Sequence, residues 1–267
     1  MELTKAKGEC SLKKSLETLE SLGQALQVGQ SGVVTIKPKL IFELVEKSFT
    51  NIPTITLPVP SSKIGSVTTL EASLISSLLF LKTPKTVFEF GTFLGYTTSI
   101  LLQNTSPNTK VFSIDLPQIK RTHQGTTEPV DWNLIRSNDA YNDAYLTEQA
   151  SKSGERYLNS LTGDRLVLIK LDSRQLIPEK FGLLGNTDFI FLDGGHTDAI
   201  VRSDTKKSIE MLSSEGILVW HDYGSKIHSK VTDVVNEYSE SNLVIQIKNT
   251  MLALTSRDLS FFLISNA

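Results

Sequence analysis

Hydrophobic positions change texture partway along the chain. From residue 85 onward, short continuous apolar runs bounded by turn residues alternate with helical patterns. The runs are TVFEF (86–90), VFSID (111–115), RLVLIKL (165–171), DFIFLD (188–193), GILVWHD (216–222), LVIQI (243–247) and SFFLI (260–264). Unbroken apolarity, as opposed to alternation, marks strands covered on both faces, and hence a parallel sheet between helices. Seven such strands, the last two close together, predict an α/β fold with a doubly wound, mostly parallel sheet. It closes in a C-terminal hairpin whose last strand is antiparallel. Ahead of the first strand, Thr68-x-x-Glu71 fits a capping box. Behind it Leu70, Leu74, Ile75, Leu78 and Leu79 form one apolar stripe, so a helix starts near Thr68.

The N-terminal part reads differently. Residues 1–30 are polar with helical spacing at Leu12, Leu16, Leu19 and Leu22, while Pro38 and the run 52–62 mark an extended segment with little regular structure. The expected division is a helical or extended arm over 1–67, a candidate surface for homodimerisation, and a domain over 68–267. Between Asp115 and Arg165 lie 49 residues, where a simple crossover needs only about a dozen. The stretch 116–164 is therefore read as a crossover helix plus a lid-like insertion near the strand ends, carrying Trp132, Tyr141, Tyr145 and Tyr157.

Composition narrows the partners. A net charge of −2, from 27 Lys+Arg against 29 Asp+Glu, lacks the basic excess of a duplex-binding protein, so nucleic acid is not the expected partner. The single cysteine allows no internal disulfide, and no Cys/His spacing suggests a zinc site. The charged start and the absence of a long apolar stretch give no signal peptide or membrane span. The expectation is a soluble cytoplasmic protein.

The chemistry concentrates at strand ends. In Val87-Phe-Glu-Phe-Gly-Thr-Phe-Leu-Gly-Tyr-Thr-Thr98 a strand ends at Phe90, Gly91 and Gly95 bracket a turn, and Thr97-Thr98 opens a helix. Glycines let backbone approach a ligand, and the helix N-terminus offers unpaired N–H groups. Asp115 follows Gly91 by 24 positions, near the offset at which an acid accepts ribose hydroxyls. Asp172-Ser173 ends the third strand, where a carboxylate meets an adenine edge. Together these describe a pocket for an adenosine-containing molecule. A dinucleotide site reads G-x-G-x-x-G; here Phe93 stands where the second glycine makes room for pyrophosphate. The expected ligand lacks phosphates, which disfavours an NAD-dependent oxidoreductase.

The segment Glu89-Phe-Gly-Thr-Phe-Leu-Gly-Tyr-Thr97 resembles motif I of class I S-adenosylmethionine-dependent methyltransferases, in the form found in small-molecule O-methyltransferases. The stretch 188–223 is similar to the fourth and fifth strands of that superfamily, and the resemblance spans roughly residues 68–256. It implies a Rossmann-like methyltransferase fold with S-adenosyl-L-methionine as cofactor. Gly91, Thr92, Phe93, Gly95 and Thr97 would line its methionine part, with Glu89 near the ammonium group. Asp115 would hold the ribose, Asp172-Ser173 would face adenine, and Asp193 would border the site. The implied activity is O-methylation of a small-molecule or sugar hydroxyl; a non-catalytic S-adenosylmethionine-binding protein is the alternative.

On the acceptor side the resemblance is to metal-dependent O-methyltransferases of the catechol type. Asp193 and Asp222 match their oxygen ligands for a divalent metal, which magnesium prefers. His221 replaces the first acid of the pair after strand five, and His196 replaces the lysine base; imidazole suits transition metals better than magnesium. His196 and His221 are thus the candidate catalytic bases, having ordinary pKa values near 6.5. The structural alternatives are a His221 packed beside Trp220 and a His196 facing solvent at a helix start. His123 and His228 are assigned no role.

Overall fold

Along each central strand, successive side chains enter different cores. Val87, Phe189, Phe191, Ile217 and Val219 join one apolar cluster, while Phe88, Phe90, Ile190, Leu192, Leu218 and Trp220 join the other. Both faces of the sheet are therefore dry, which is why the runs carry no polar alternation. A computed structural model describes residues 27–28, 32–61, 65–117, 132–153, 156–158 and 163–257.

In chain order the elements are β1 (Gln27–Val28), β2 (Val34–Ile36), α1 (Pro38–Ser48), α2 (Thr69–Lys82), β3 (Thr86–Phe90), α3 (Tyr96–Gln103), β4 (Lys110–Asp115), α4 (Trp132–Ser137), α5 (Asp139–Ser153), β5 (Leu166–Lys170), β6 (Thr187–Leu192), α6 (Asp198–Met211), β7 (Leu212–Trp220), α7 (Ser229–Ser239), β8 (Ile245–Ile247) and β9 (Ala253–Ser256). The nine strands among the described residues form one sheet, ordered β1-β2-β8-β9-β7-β6-β3-β4-β5. From β7 to β5 every pairing is parallel; β9 runs antiparallel between β7 and β8, and β1 antiparallel to β2. This is the doubly wound, mostly parallel sheet that the apolar runs predict.

Three differences have physical reasons. An antiparallel strand forms at Ala253–Ser256, which the apolar runs do not mark; the run 260–264 lies outside the described residues. Four residues with a mixed pattern carry too little periodicity to be noticed. Pro38 does not prolong an extended segment; it opens α1 at the first helical position, where its fixed φ and missing N–H cost nothing. Third, β2 pairs in parallel with β8, and Val34, Ile36, Ile41 and Leu44 share one core with Leu74 and Ile75 of α2. Residues 34–48 are thus a sheet edge and its covering helix. The helical reading of residues 12–22 lies outside the described residues.

Helix α2 starts where the capping box places it. Thr68 Oγ1 accepts from the Glu71 N–H at 3.3 Å, and Glu71 Oε2 accepts from the Thr68 N–H at 2.8 Å. Among the described residues no helix is long and apolar enough to cross a membrane.

Candidate active site

The carboxyl ends of β3, β4, β5, β6 and β7 meet on one edge of the sheet, and β3 has neighbours leaving in opposite directions. Such a crevice is where doubly wound sheets bind ligands. Ladder bonds continue one residue past the strands: the Gly91 N–H donates to Ile114 O, the Asp193 N–H to Phe90 O and the His221 N–H to Leu192 O, at 2.9–3.0 Å. Each site residue thereby inherits the register of the strand before it.

A cavity of about 460 Å³ opens there. Gly91, Thr92, Phe93, Thr97, Asp115, Asp172 and Ser173 line one end of it; Asp193, His196, His221, Asp222 and His228 line the other. At Gly91 φ is +92°, and a Cβ would stand 2.0 Å from Asp193 O, so no side chain fits. Phe93 also has positive φ, +47°, and its N–H donates to Asp115 Oδ2 at 2.7 Å. The Leu116 N–H donates to Asp115 Oδ1 at 2.7 Å, so backbone fixes both oxygens of that carboxylate.

Glu89 of β3 and Gly95 of the loop do not line the cavity. Glu89 lies behind the loop, off the cavity wall and fully buried, accepting from the hydroxyls of Thr98 and Ser113. Burial, reinforced by the charges of Asp193 and Asp115, pushes its carboxyl up to about 8 against those two hydrogen bonds. It is a buried post under the loop, and it offers no wall contact for an ammonium group. Gly95 is also absent from the wall. It caps α3 with φ +81°, and a Cβ there would meet Leu158 at 2.6 Å.

At the third strand end, Asp172 is clasped by Arg174, whose Nη2 lies 2.6 Å from Oδ2 and whose hydrogen bonds hold the acid below its usual range. That carboxylate faces a guanidinium of its own chain. Ser173 Oγ donates to Asp204 Oδ2 at 2.9 Å, and burial pushes Asp204 up to about 7.

The opposite end is a network of imidazoles and carboxylates. His221 Nδ1 lies 3.1 Å from Asp193 Oδ1 and 3.2 Å from Asp222 Oδ2, and its Nε2 is 3.6 Å from Glu71 Oε2. His196 Nδ1 lies 2.5 Å from Asp143 Oδ1, and its Nε2 is 3.1 Å from Asp222 Oδ2. The two histidines are 5% and 7% exposed, which excludes a solvent-facing His196. Burial alone would lower both, but the surrounding carboxylates outweigh it: His196 rises to about 10, and His221 rises well above its ordinary value. The surrounding carboxylates thus favour the charged form of each imidazole.

Sequence reasoning missed four participants. Helix α5, within the long insertion, supplies Asp143 to His196 and Asp139 to His228, whose Nδ1 lies 2.9 Å from Asp139 Oδ1. His228 stacks on His196 with ring centroids 3.7 Å apart. Glu71, read only as half of a capping box, also accepts from the Met251 N–H at 2.8 Å and faces His221. The sole hint in the sequence was the i,i+4 spacing of Asp139 and Asp143, which puts both on one helix face.

A family profile described as a methyltransferase domain matches residues 88–223. Among solved structures, the SAH-bound methyltransferase PaMTH1 of Podospora anserina superposes with a TM-score of 0.51 at 15% identity, over 82% of this chain and 88% of that one. A methyltransferase of Geobacter sulfurreducens gives 0.43 at 14% identity, over 73% and 81%. No curated protein sequence matches. At 15% identity the first of these superpositions speaks to fold alone. The profile match runs from β3 through Tyr223, taking in the glycine loop, Asp115, Asp193 and the His221-Asp222 pair. The chain belongs to the methyltransferase domain family.

Proposed function

We propose that this protein methylates a hydroxyl oxygen of a small molecule or sugar, using S-adenosylmethionine held between the Gly91 loop and Asp115. The observation that carries this reading is the continuity of one cavity, with the glycine loop at one end and the histidine–carboxylate network at the other. Family membership implies the cofactor. The residues suit it: the bare backbone at Gly91 admits close approach, the Asp115 carboxylate faces the cavity in a fixed orientation, and Phe93 crowds the place of a pyrophosphate.

When bound, the cofactor supplies an electrophilic methyl on sulfonium. The chain's residues then orient the acceptor and receive its proton. His196 and His221 hydrogen-bond to Asp193 and Asp222 and hold those carboxylates in place. The acceptor hydroxyl would be placed against Asp193 or Asp222. That carboxylate would hold the proton that the hydroxyl loses as its oxygen is methylated. Holding donor and acceptor in line supplies much of the acceleration.

The metal expected at Asp193 and Asp222 fits less well as magnesium. Their facing oxygens both lie against His221 Nδ1, so an ion between them would displace that imidazole.

The test pairs binding with turnover. Calorimetry should register S-adenosylhomocysteine but not NADH, and Asp115→Ala should weaken that binding ten-fold or more. This is the scale of a charge-assisted hydrogen bond of about 1.5–3 kcal/mol. A methyl-transfer screen over hydroxylated metabolites and sugars should then identify the acceptor. Tight S-adenosylhomocysteine binding without turnover on any acceptor would favour a non-catalytic binding protein.

A further inference from the structure

The structure assigns a second role to the insertion: His196, His228 and Asp222 form a binding site for a transition-metal dication, with Asp143 and Asp139 of α5 orienting the two imidazoles. The inference rests on the methyltransferase reading only in that both use one cavity. One ligating atom from each of the three residues lies within 4.8 Å of the others, and all three residues line the cavity. They come from the loop after β6, the turn after β7 and the start of α7, so no local sequence motif gathers them.

The outer residues make this more than a chance cluster. A metal-bound histidine characteristically gives its other ring N–H to a carboxylate, which fixes tautomer and ring direction. Here both histidines do so at Nδ1, His196 to Asp143 at 2.5 Å and His228 to Asp139 at 2.9 Å. The two carboxylates sit one turn apart on the same helix; the rings they hold are stacked at 3.7 Å, and an ion would part them so that both Nε2 atoms reach it. Asp143 accepts in addition from the His196 N–H at 2.9 Å, pinning that ring at both its backbone and its side chain. Nε2 of each ring is left as the ligand position, and that of His196 already stands 3.1 Å from Asp222 Oδ2.

A second converging group, Asp193, His221 and Asp222, has a carboxylate behind its imidazole too, Glu71 Oε2 at 3.6 Å from Nε2, but offers only one imidazole. Its Nδ1 is turned to both acids, and its Nε2 has no hydrogen-bond partner. Two imidazoles and one carboxylate suit zinc, iron, cobalt or manganese in preference to magnesium, and three protein ligands leave positions open toward the cavity, as catalytic sites require. An ion there would take an acceptor oxygen directly and bring the long insertion under metal control.

The full chain, stripped with EDTA and dialysed, is titrated with Zn²⁺ and Co²⁺ by calorimetry and by the visible spectrum of bound cobalt. S-adenosylhomocysteine binding and thermal unfolding are followed on the same samples. One equivalent should bind. His228→Gln should abolish the cobalt spectrum, and Asp139→Asn, which leaves all three ligands in place, should weaken metal binding 10- to 100-fold. Asp193→Asn should leave the metal affinity unchanged. Absence of metal binding to a wild-type chain that still binds S-adenosylhomocysteine would overturn the site and leave the methyltransferase reading standing. Binding that survives His228→Gln and Asp139→Asn but is lost in Asp193→Asn would overturn it too, by moving the ion to the other group. Should His228→Gln fail to fold, Asp139→Asn decides the matter alone.

Discussion

Gly91 is where a single missing atom decides whether the two ends of the site can meet. Its hydrogen in place of Cβ lets the β3 loop lie against the Asp193–Gly194 backbone, and its positive φ turns the chain toward Phe93. Alanine there would bring Cβ to 2.0 Å from the carbonyl oxygen of Asp193, a residue whose N–H is bound to Phe90 O, so the loop must move. Gly91→Ala is expected to cost at least about 2–3 kcal/mol in urea unfolding, from clash and strained φ together, and to abolish S-adenosylhomocysteine binding. A variant with unchanged stability and affinity would mean that the loop is looser than these contacts imply. Gly95→Ala is a different experiment, since the obstructing atoms belong to the Leu158 side chain, which can turn aside.

At the scale of elements, α1 tests how far the fold extends toward the N-terminus. Leu44 is 1% exposed and lies in the same core as Leu74, Ile75 and Leu78 of α2. Truncating it should therefore cost about 2–5 kcal/mol, the loss typical of a buried leucine, and the whole molecule should unfold at lower urea in one transition. Were residues 38–48 a loosely attached arm, Leu44→Ala would leave the midpoint where it was. The sequence could reveal the central strands because burial on both faces leaves long unbroken apolar runs. It concealed β2 and β9, at three and four residues, because such short pairings take their stability from neighbours and not from a pattern of their own. Helix α1 was hidden by Pro38, whose breaking effect in mid-helix masks its suitability for a first turn. The glycine loop, Asp115 and the acids after β6 and β7 were legible because each lies at the end of a recognisable run. His228 and Asp139 were not, being 89 residues apart and joined only through the docking of α5. The shift of His196 toward its charged form followed in part from that same docking.

For the molecule as a whole, the buried carboxyls set how stability varies with pH. Glu89 is raised from 4.5 to about 8 and Asp204 from 3.8 to about 7, each chiefly by burial. The folded chain therefore holds two protons that the unfolded chain releases near pH 4. Their stabilisation is complete below the unfolded values and is lost as pH rises through the folded ones, across roughly pH 4 to 8. Glu71 acts in the opposite sense. Burial raises it, but His221 and the backbone N–H groups of Met251 and Thr68 bring it down to about 2, so its contribution is present above 4.5 and lost toward pH 2. The two trends cross at about pH 4, and above that the chain should lose stability steadily up to pH 8. Glu89→Gln separates the causes, because the amide cannot titrate while Ser113, Thr98, Asp193 and Asp115 still face position 89. Its absolute stability will differ, since the substitution places N–H groups beside an Oε1 position that has no partner. The slope is the diagnostic quantity: between pH 5 and 8 the urea midpoint of Glu89→Gln should fall less steeply than that of the wild type. Equal slopes in the two proteins would mean that Glu89 is ionised in the fold, and a charged post beneath the glycine loop would then act on the cofactor's ammonium through the loop despite its absence from the wall.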